Sequence, residues 1–467
     1  MTGTTDNLDL LRLLAGAGLL ILLGRAATRR AGFRIAPGEL ALDGAVGLSL
    51  AVPVAFGCLA FGVPLPPRVI AGAEALSAVL LSLALRRRRQ RLPDESLPAP
   101  VSEHRGLRSL SAILSAAAFA VCVWKWGRVP LWSWDHYAIW GMKARKLFPF
   151  SSLDLEMFRL PTLTVSNPQY PLGLPVGWRL LTLGDPSARA FRGAHALFGL
   201  GALLALRQGV RRATGSDVLA NTLGGVLCLS PLFWDSEALG LAEMPLAFLA
   251  VAAAALLLEL RHSQAGPAGA AWAAGAAIGF VSWIKQEGVV LTGLLLLLGI
   301  VVVVVSRRSP SDRRRLVAAL VLPAVVVAGA GWWLDRVLLP RGFGFFVGNW
   351  RERGLARVHD PLPILRGLAR ELLSTDWLGF WIVMSIVFAV AVFRRRSTAV
   401  FVLSAVAADL AAFASVYVFT YLDPAEHIAS SFFRIAAATV PLALLGGALL
   451  AERSAPREGA GSGGRRV

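Results

Sequence analysis

Residues 288–305 read GVVLTGLLLLLGIVVVVV, eighteen consecutive positions without a charged side chain. A helix needs about 20 mostly apolar residues to cross the roughly 30 Å hydrocarbon layer of a bilayer. This stretch therefore predicts a membrane-spanning helix. Comparable runs recur almost from one end of the chain to the other and leave no polar stretch longer than about 60 residues. The chain is expected to form one integral membrane unit.

The composition argues against a soluble globular protein. The 467-residue chain is 56% hydrophobic, and with glycine counted and tyrosine left out the apolar share is about 65%, against about 45–50% in soluble domains. Its formal net charge is +18, which in a soluble chain would suggest nucleic acid. Most of the arginines, however, cluster between apolar runs, which is typical of membrane topology. Membrane lipids are expected as partners, and nucleic acid is not.

The length criterion predicts thirteen spans, so the expected fold class is an all-α polytopic membrane protein. The predicted spans are Leu8–Arg25, Leu40–Gly62, Arg68–Leu85, Ser109–Trp126, Ala188–Leu206, Val218–Trp234, Leu239–Leu260, Ala268–Ile284, Gly288–Val305, Leu316–Val337, Trp377–Phe393, Ser397–Leu422 and Ile435–Leu450.

The basic residues orient these spans, because Lys and Arg collect in short cytoplasmic loops. Alternate connections carry Arg25–Arg34, Arg86–Arg91, Arg207–Arg212, Arg307–Arg315, Arg394–Arg396, and Arg453 with Arg457. All of them fall on one side if the N-terminus is outside. The long connections 127–186 and 339–376 are then expected to face the periplasm or the cell exterior, with juxtamembrane helices in the first. The expected localisation is the inner or plasma membrane.

The first long outer loop contains WDHYAIWGMKARKLF at positions 134–148. On a helix, Asp135 and Lys143 fall near one stripe, about two turns apart. An interfacial helix with an aromatic belt and a snorkelling lysine would account for the aromatic residues and for Lys143. It does not explain an acid among aromatic side chains, where a carboxylate risks desolvation. Asp135 is therefore the leading candidate for a functional residue.

Further polar residues lie at predicted outer helix ends. Glu243 lies just inside an apolar span, where a charge costs about 2.5 kcal/mol or more at the centre and less near the end, so it is a functional candidate by default. Glu237 lies six residues earlier, within reach of the same surface. Lys285 and Glu287 flank a very short turn between two spans. A plain turn with snorkelling charges explains that pair equally well.

Two outer segments have a local structure that can be predicted. Residues 166–175 read SNPQYPLGLP and are too rich in proline for a regular helix, so they are expected to form a fixed loop. Residues 361–373 carry apolar side chains at helical spacing with arginines between them, which predicts a helix lying in the interface. A passive amphipathic lid is favoured there over direct phosphate contact. Arg341, Arg351, Arg353 and Arg357 are expected to attach to anionic headgroups.

Five short strings, in this order, resemble the GT-C type membrane glycosyltransferases, the class related to protein O-mannosyltransferases and aminoarabinose transferases. They are WDHYAIWGMKARKLF from 134, NPQYPLGLP from 167, AEMPLAF from 242, WIKQEG from 283 and HIASSFFR from 427. Together they cover about residues 132–434. The resemblance implies a GT-C-like catalytic core over 109–452, after N-terminal helices and a basic cytoplasmic linker in 1–108. Residues 453–467 are expected to be a disordered cytoplasmic tail.

The resemblance also implies a reaction and residues for it. Asp135 would be the general base of an inverting transfer of sugar from a polyprenyl-phosphate donor to an acceptor hydroxyl, a role typically contributing about 10²–10⁴ in rate. The implied substrate-binding residues are Lys143, Tyr170, Glu237, Glu243, Lys285, Glu287 and Arg434. The three basic ones would meet the lipid phosphate. Asn167 stands where the family usually has His, and neither a metal nor another cofactor is expected.

Other functions stay open on the sequence alone. A transporter or flippase for a lipid-linked glycan is one alternative, although no internal repeat is visible. A glycan polymerase or ligase is another, and it would depend more on Arg351 and Arg353. The chain has no Walker loop, no HExxH helix and no strand-flanked GxGxxG. The sugar and the acceptor, which could be a lipid, a glycan or a protein hydroxyl, are not identified by the residues.

Overall fold

The computed structural model describes residues 3–31, 39–61, 101–129, 135–146, 170–183, 187–235, 239–262, 267–306, 308–338, 349–420 and 422–452, with a few single positions between 63 and 79. Within these residues all regular structure is helical. The helices are α1 (Gly3–Arg30), α2 (Leu40–Ala60), α3 (Arg105–Arg128), α4 (Gly141–Lys146), α5 (Gly173–Leu181), α6 (Ala188–Thr214), α7 (Asp217–Leu229), α8 (Pro231–Trp234), α9 (Glu243–His262), α10 (Pro267–Val281), α11 (Glu287–Val304), α12 (Pro310–Leu338), α13 (Trp350–His359), α14 (Leu362–Leu372), α15 (Phe380–Phe393), α16 (Ser397–Phe419) and α17 (Pro424–Ala448). A π-helical turn, Asp135–Trp140, leads directly into α4.

Eight of the described helices are long and apolar enough to cross a membrane, so this is a polytopic helical membrane protein. The eight segments are Leu10–Arg30, Leu40–Ala60, Arg105–Arg128, Glu243–Arg261, Glu287–Val304, Pro310–Leu334, Ser397–Phe419 and Pro424–Ala451. The predicted number of thirteen is not confirmed. Three apolar helices, α7, α10 and α15, are shorter, and the arginine-rich α6, which contains the predicted span Ala188–Leu206, is not among the eight. The predicted span 68–85 falls almost wholly outside the described residues, as do 86–100 of the linker and the tail 453–467.

Helix α9 is the centre of the bundle. It is apolar on all sides, and its most apolar 18-residue stretch is entirely buried among α2, α6, α10, α11 and α17. Six of the residues between positions 247 and 255 are alanines, whose small side chains let neighbouring backbones approach closely. Hydrophobicity alone does not set this position, because α15 has no charged residue either and only three of its side chains are buried.

Helices α10 and α12 pack with their backbones in close contact. Gly275 and Gly279, four residues apart, face α12, and a methyl group on either glycine would overlap the carbonyl oxygen of Leu320 or Ala324. Small residues at this spacing are typical of helix pairs in membranes. The fifteen-residue α10 is thus held by contact with the longer α12.

The N-terminal helices belong to the same core as the later ones. Helix α2 packs against α5, α6, α9, α10 and α12, and more than half of its membrane-spanning residues are buried. Arg25 of α1 and Asp43 of α2 form an ion pair at 2.7 Å that ties the two helices together. The first two helices thus help to enclose the centre of the bundle.

The long helices run between two chemically different ends. At one of them, the basic end, Arg212 contacts Glu39 and Glu259, Arg261 contacts Glu452 at 3.0 Å, and Arg308 donates to the carbonyl of Leu260. The other end is defined by the first residue of α9, Glu243. Glu243 and Glu259 are 16 residues apart, which corresponds to about 24 Å along α9. We call the end that contains Glu243 the site end.

Candidate functional site

A buried ion cluster lies at the site end, where α9 and α11 begin. The Nζ atom of Lys285 is 3.0 Å from Oε1 of Glu243 and 2.9 Å from Oε1 of Glu287. The side chains of Lys285 and Glu243 are only 9% and 4% exposed. The two glutamates are each the first residue of a helix, where the positive end of the helix dipole favours a carboxylate.

The turn that carries Lys285 is held on both sides. The indole nitrogen of Trp283 donates to the carbonyl of Val327 on α12 at 2.7 Å. The backbone of Trp283 lies against Gly173 at the start of α5, so closely that a side chain at position 173 would overlap it. The amide of Gly288 closes the turn by donating to the carbonyl of Lys285 at 2.9 Å. Lys285 is therefore in a fixed position.

The neighbours of Lys285 keep it charged. Burial lowers the pKa of its ammonium, but the carboxylates of Glu243 and Glu287 more than compensate and raise it above the ordinary value. Removing the lysine would leave two carboxylates without their main cation.

Helix α17 brings Arg434 to this cluster. Arg434 and Asp235 line a small cavity together with Glu243, and the charge of Arg434 lowers the pKa of Lys285. Sequence reasoning placed Arg434 and Glu243 on the same predicted face of the membrane. Only the packing of α17 against α9 brings them side by side.

Lys143 and Tyr170 lie next to this cluster. The side chain of Lys143 is fully buried, and its Nζ donates to the carbonyl of Tyr170 at 3.3 Å. The ring of Tyr170 stacks on Trp140 with 5.4 Å between centroids, and Tyr170 is close enough to Lys285 to interact with it electrostatically. A snorkelling lysine would keep its ammonium in water, so this part of the interfacial-helix interpretation is wrong.

The segment that begins with Asp135 has an unusual backbone. Residues 135–140 form a π-helical turn, a rare conformation that is found frequently at functional sites. His136, Ile139 and Trp140 of this turn are buried, so the segment is anchored in the protein core. The backbone of Asp135 starts the turn, and its side chain lies outside the described part of the structure.

Two buried histidines fix the loop that precedes Glu243. Gly240 accepts a hydrogen bond from Nδ1 of His136 at 3.1 Å and donates its amide to Nδ1 of His195 at 3.2 Å. Its φ of +79° is in the left-handed region, which favours glycine. Burial lowers the pKa of His136 to about 4, and Arg145 and Arg192 lower it too, so the imidazole is neutral. Nothing in the local sequence predicts the hydrogen bonds of Gly240 to these two histidines.

Helix α14 forms as predicted, and two of its apolar residues, Ile364 and Leu368, are buried. Ile364 and Leu368 pack against Tyr417, Ile428 and Phe432, whereas Leu365 is 55% exposed. Arg357 was expected to bind lipid headgroups. It instead donates to the carbonyls of Tyr417, Val418, Thr420 and Leu422, where α16 ends. These contacts satisfy backbone groups that the end of a helix leaves without partners.

Six of the eight predicted site residues are thus near one another. They are Lys143, Tyr170, Glu243, Lys285, Glu287 and Arg434. The other two, the side chain of Asp135 and all of Glu237, lie outside the described residues, as do Asn167 and the rest of 147–169.

Sequence reasoning missed Asp409. This buried acid lies within α16 and lines a cavity with Glu243, Lys285 and Glu287. A lone acid inside a 23-residue apolar helix is itself a signal of function, so it could have been found.

Among the described residues, no group of three His, Cys, Asp or Glu side chains is arranged to hold a metal ion. Comparison of the chain with known family models, curated proteins and solved structures finds no match. The site brings together three cations and several carboxylates in a largely dry environment, which is suited to binding a charged polar group at the membrane.

Proposed function

We propose that the protein is a membrane glycosyltransferase that uses a polyprenyl-phosphate sugar as donor. The observation that carries the proposal is the grouping of Lys143, Lys285 and Arg434 around buried carboxylates at the end of the bundle opposite its basic end. Since basic loops favour the cytoplasm, the site end would face the periplasm or the exterior. Polyprenyl-phosphate donors present their headgroups at a membrane surface, within reach of a site at that end.

In this reaction the oxygen of the acceptor hydroxyl attacks the anomeric carbon, and the bond from that carbon to the phosphate oxygen breaks. The electron pair of the broken bond leaves with the lipid phosphate, whose added negative charge needs cations nearby. Buried cations serve this purpose better than exposed ones, because water does not screen them. Asp135 accepts the proton of the hydroxyl, and back-side attack inverts the anomeric carbon.

Glu243 and Glu287 have two roles in this mechanism. In the free protein they hold Lys285 in position and neutralise part of its charge. With substrate bound, their oxygens are acceptors for sugar hydroxyls while the phosphate takes over part of the contact with Lys285. Tyr170 accepts from Lys143 through its carbonyl and lies near Lys285, so it would help to position both cations towards the phosphate.

The test compares cell-envelope glycans by mass spectrometry in cells that lack the protein or produce one of its variants. We expect wild type to restore a sugar that is missing without the protein. Asp135→Asn should abolish that transfer while the protein level is unchanged. Lys285→Met should reduce it at least about 100-fold, which is the typical rate contribution of a single base or charge-stabilising group in such reactions. Full activity of Asp135→Asn would remove the assigned base.

Lys125→Met is the matched control. Lys125 lies at the same end of the bundle, but it donates to the carbonyl of Trp234 and stacks on that ring, with no carboxylate partner among the described contacts. We expect its glycans to equal those of wild type.

The same variants separate this proposal from the alternatives. A transporter or flippase would continue to move its lipid-linked glycan across vesicle membranes after Asp135→Asn. A polymerase or ligase would be more sensitive to loss of Arg351 and Arg353 than to loss of Asp135.

A further inference from the structure

Asp409 lies near the middle of α16, 12 residues from Ser397 and 10 residues from Phe419. At 1.5 Å per residue, these positions are about 18 Å and 15 Å away. The residue is 2% exposed, and its Oδ1 has no hydrogen-bond partner among the described residues. An acidic group at this depth in a membrane helix is costly and marks a functional site.

Asp409 shares a cavity with the ion cluster. The cavity measures about 10 Å³, which is room for about one water molecule. Its polar lining comes from Asp409, from Glu287, Lys285 and Glu243, and from Thr439 on α17. The Oε2 atom of Glu287 is a second buried oxygen without a partner in the described part of the chain. Within the described structure, two carboxyl oxygens of residues that line one water-sized cavity therefore lack hydrogen bonds.

The charges around this cavity disfavour an ionised Asp409. Glu287 and Lys285 come from α11 and the turn before it, Glu243 from α9 and Arg434 from α17. Helix α15, which also packs on α16, has no titratable side chain. Lys285 is already bonded to both glutamates. Lys285 and Arg434 balance the two glutamates, so an ionised Asp409 would be a third carboxylate and an unbalanced buried charge, which is expensive.

We propose that Asp409 and Glu287 form a proton-binding site within the membrane. Asp409 holds one proton as a neutral acid and donates it in a hydrogen bond to a single water in the cavity. The water donates in turn to Oε2 of Glu287 and to the hydroxyl oxygen of Thr439, which is free to accept because its own hydrogen goes to the carbonyl of Ala436. This arrangement gives both carboxyl oxygens a partner and avoids a buried ion at Asp409.

The experiment is infrared spectroscopy of the full-length protein in lipid nanodiscs, without substrate. At neutral pH we expect the C=O stretch of a protonated carboxylic acid, shifted in D₂O and lost in Asp409→Asn. Asp217→Asn is the matched control, because Asp217 is partly exposed and faces Arg207 and Arg211, so the band should persist. Absence of the band in wild type, or its survival in folded Asp409→Asn, would overturn the proposal.

Glu287→Gln tests the link between the two acids and does not depend on the folding of the Asp409 variant. Without the charge at position 287, Asp409 ionises more easily, so the band should disappear at a pH lower by about 1 unit or more. An unchanged pH of disappearance would show that the two groups do not interact. Because no substrate is present, these outcomes are independent of whether the protein transfers sugar.

Discussion

Replacing Lys285 by Met tests whether the ion cluster is a coupled, buried unit. Met keeps most of the length of the side chain and removes the charge. Lys285 contacts Glu243 at 3.0 Å and Glu287 at 2.9 Å, and the glutamate side chains are 4% and 17% exposed. The variant therefore leaves two largely buried carboxylates without their common partner.

The expected loss of stability follows from that burial. Removing one partner of a buried ion pair costs about 3–5 kcal/mol, because the remaining charge stays buried. Arg434 lies near Glu243 and offsets part of this cost, so we expect about 3 kcal/mol for Lys285→Met. Glu243→Gln alone should cost less, since Lys285 retains Glu287.

The double variant distinguishes a coupled pair from two independent residues. If Glu243 and Lys285 interact as the geometry indicates, the loss in the double variant should be smaller than the sum of the single losses by about 1–3 kcal/mol. The measurement is unfolding in mixed micelles with increasing SDS, followed by tryptophan fluorescence. Lys125→Met, which removes a lysine without a carboxylate partner among the described contacts, should change stability by at most about 1 kcal/mol. Additive single losses, within about 0.5 kcal/mol, would refute the coupling.

Three further predictions concern packing, pH and a helix end. Gly275→Ala should destabilise the protein by about 1–3 kcal/mol in the same unfolding assay, because the added methyl group overlaps the backbone of α12. Gly293 has open space around it, so Gly293→Ala should be neutral or stabilising. The pKa of His136 is about 4 in the folded protein and about 6.5 in the unfolded chain, so acid favours the unfolded chain, which binds the proton more tightly. The free energy of unfolding should therefore fall by about 3 kcal/mol between pH 6.5 and pH 4. His136→Asn should flatten this part of the pH dependence of the unfolding temperature. Arg357→Met should speed amide hydrogen exchange near the end of α16, because Arg357 binds the carbonyls there. Arg366 is an exposed arginine on α14, so Arg366→Met should not change this exchange, and equal exchange in the two variants would contradict the contacts of Arg357.

The site could be predicted in part, because some of its residues conflict with their surroundings in the sequence. Glu243 and Lys285 are charged residues beside long apolar runs, and both belong to the cluster. Asp409 shows the same conflict, since it is an acid within the apolar run of α16. Nothing in the sequence distinguishes His195 from an ordinary core histidine, since its partner Gly240 is 45 residues away.

The sequence by itself determined that this chain is helical and belongs in a membrane, because the length and polarity of each run follow from the thickness and dryness of the bilayer. Only the tertiary structure decided that Lys143 is buried, that α2 packs among the later helices, and that Asp409 shares a cavity with Glu287. The physical reason is that helix formation depends on neighbours within a few residues. Which helix faces meet depends instead on close packing between segments tens to hundreds of residues apart.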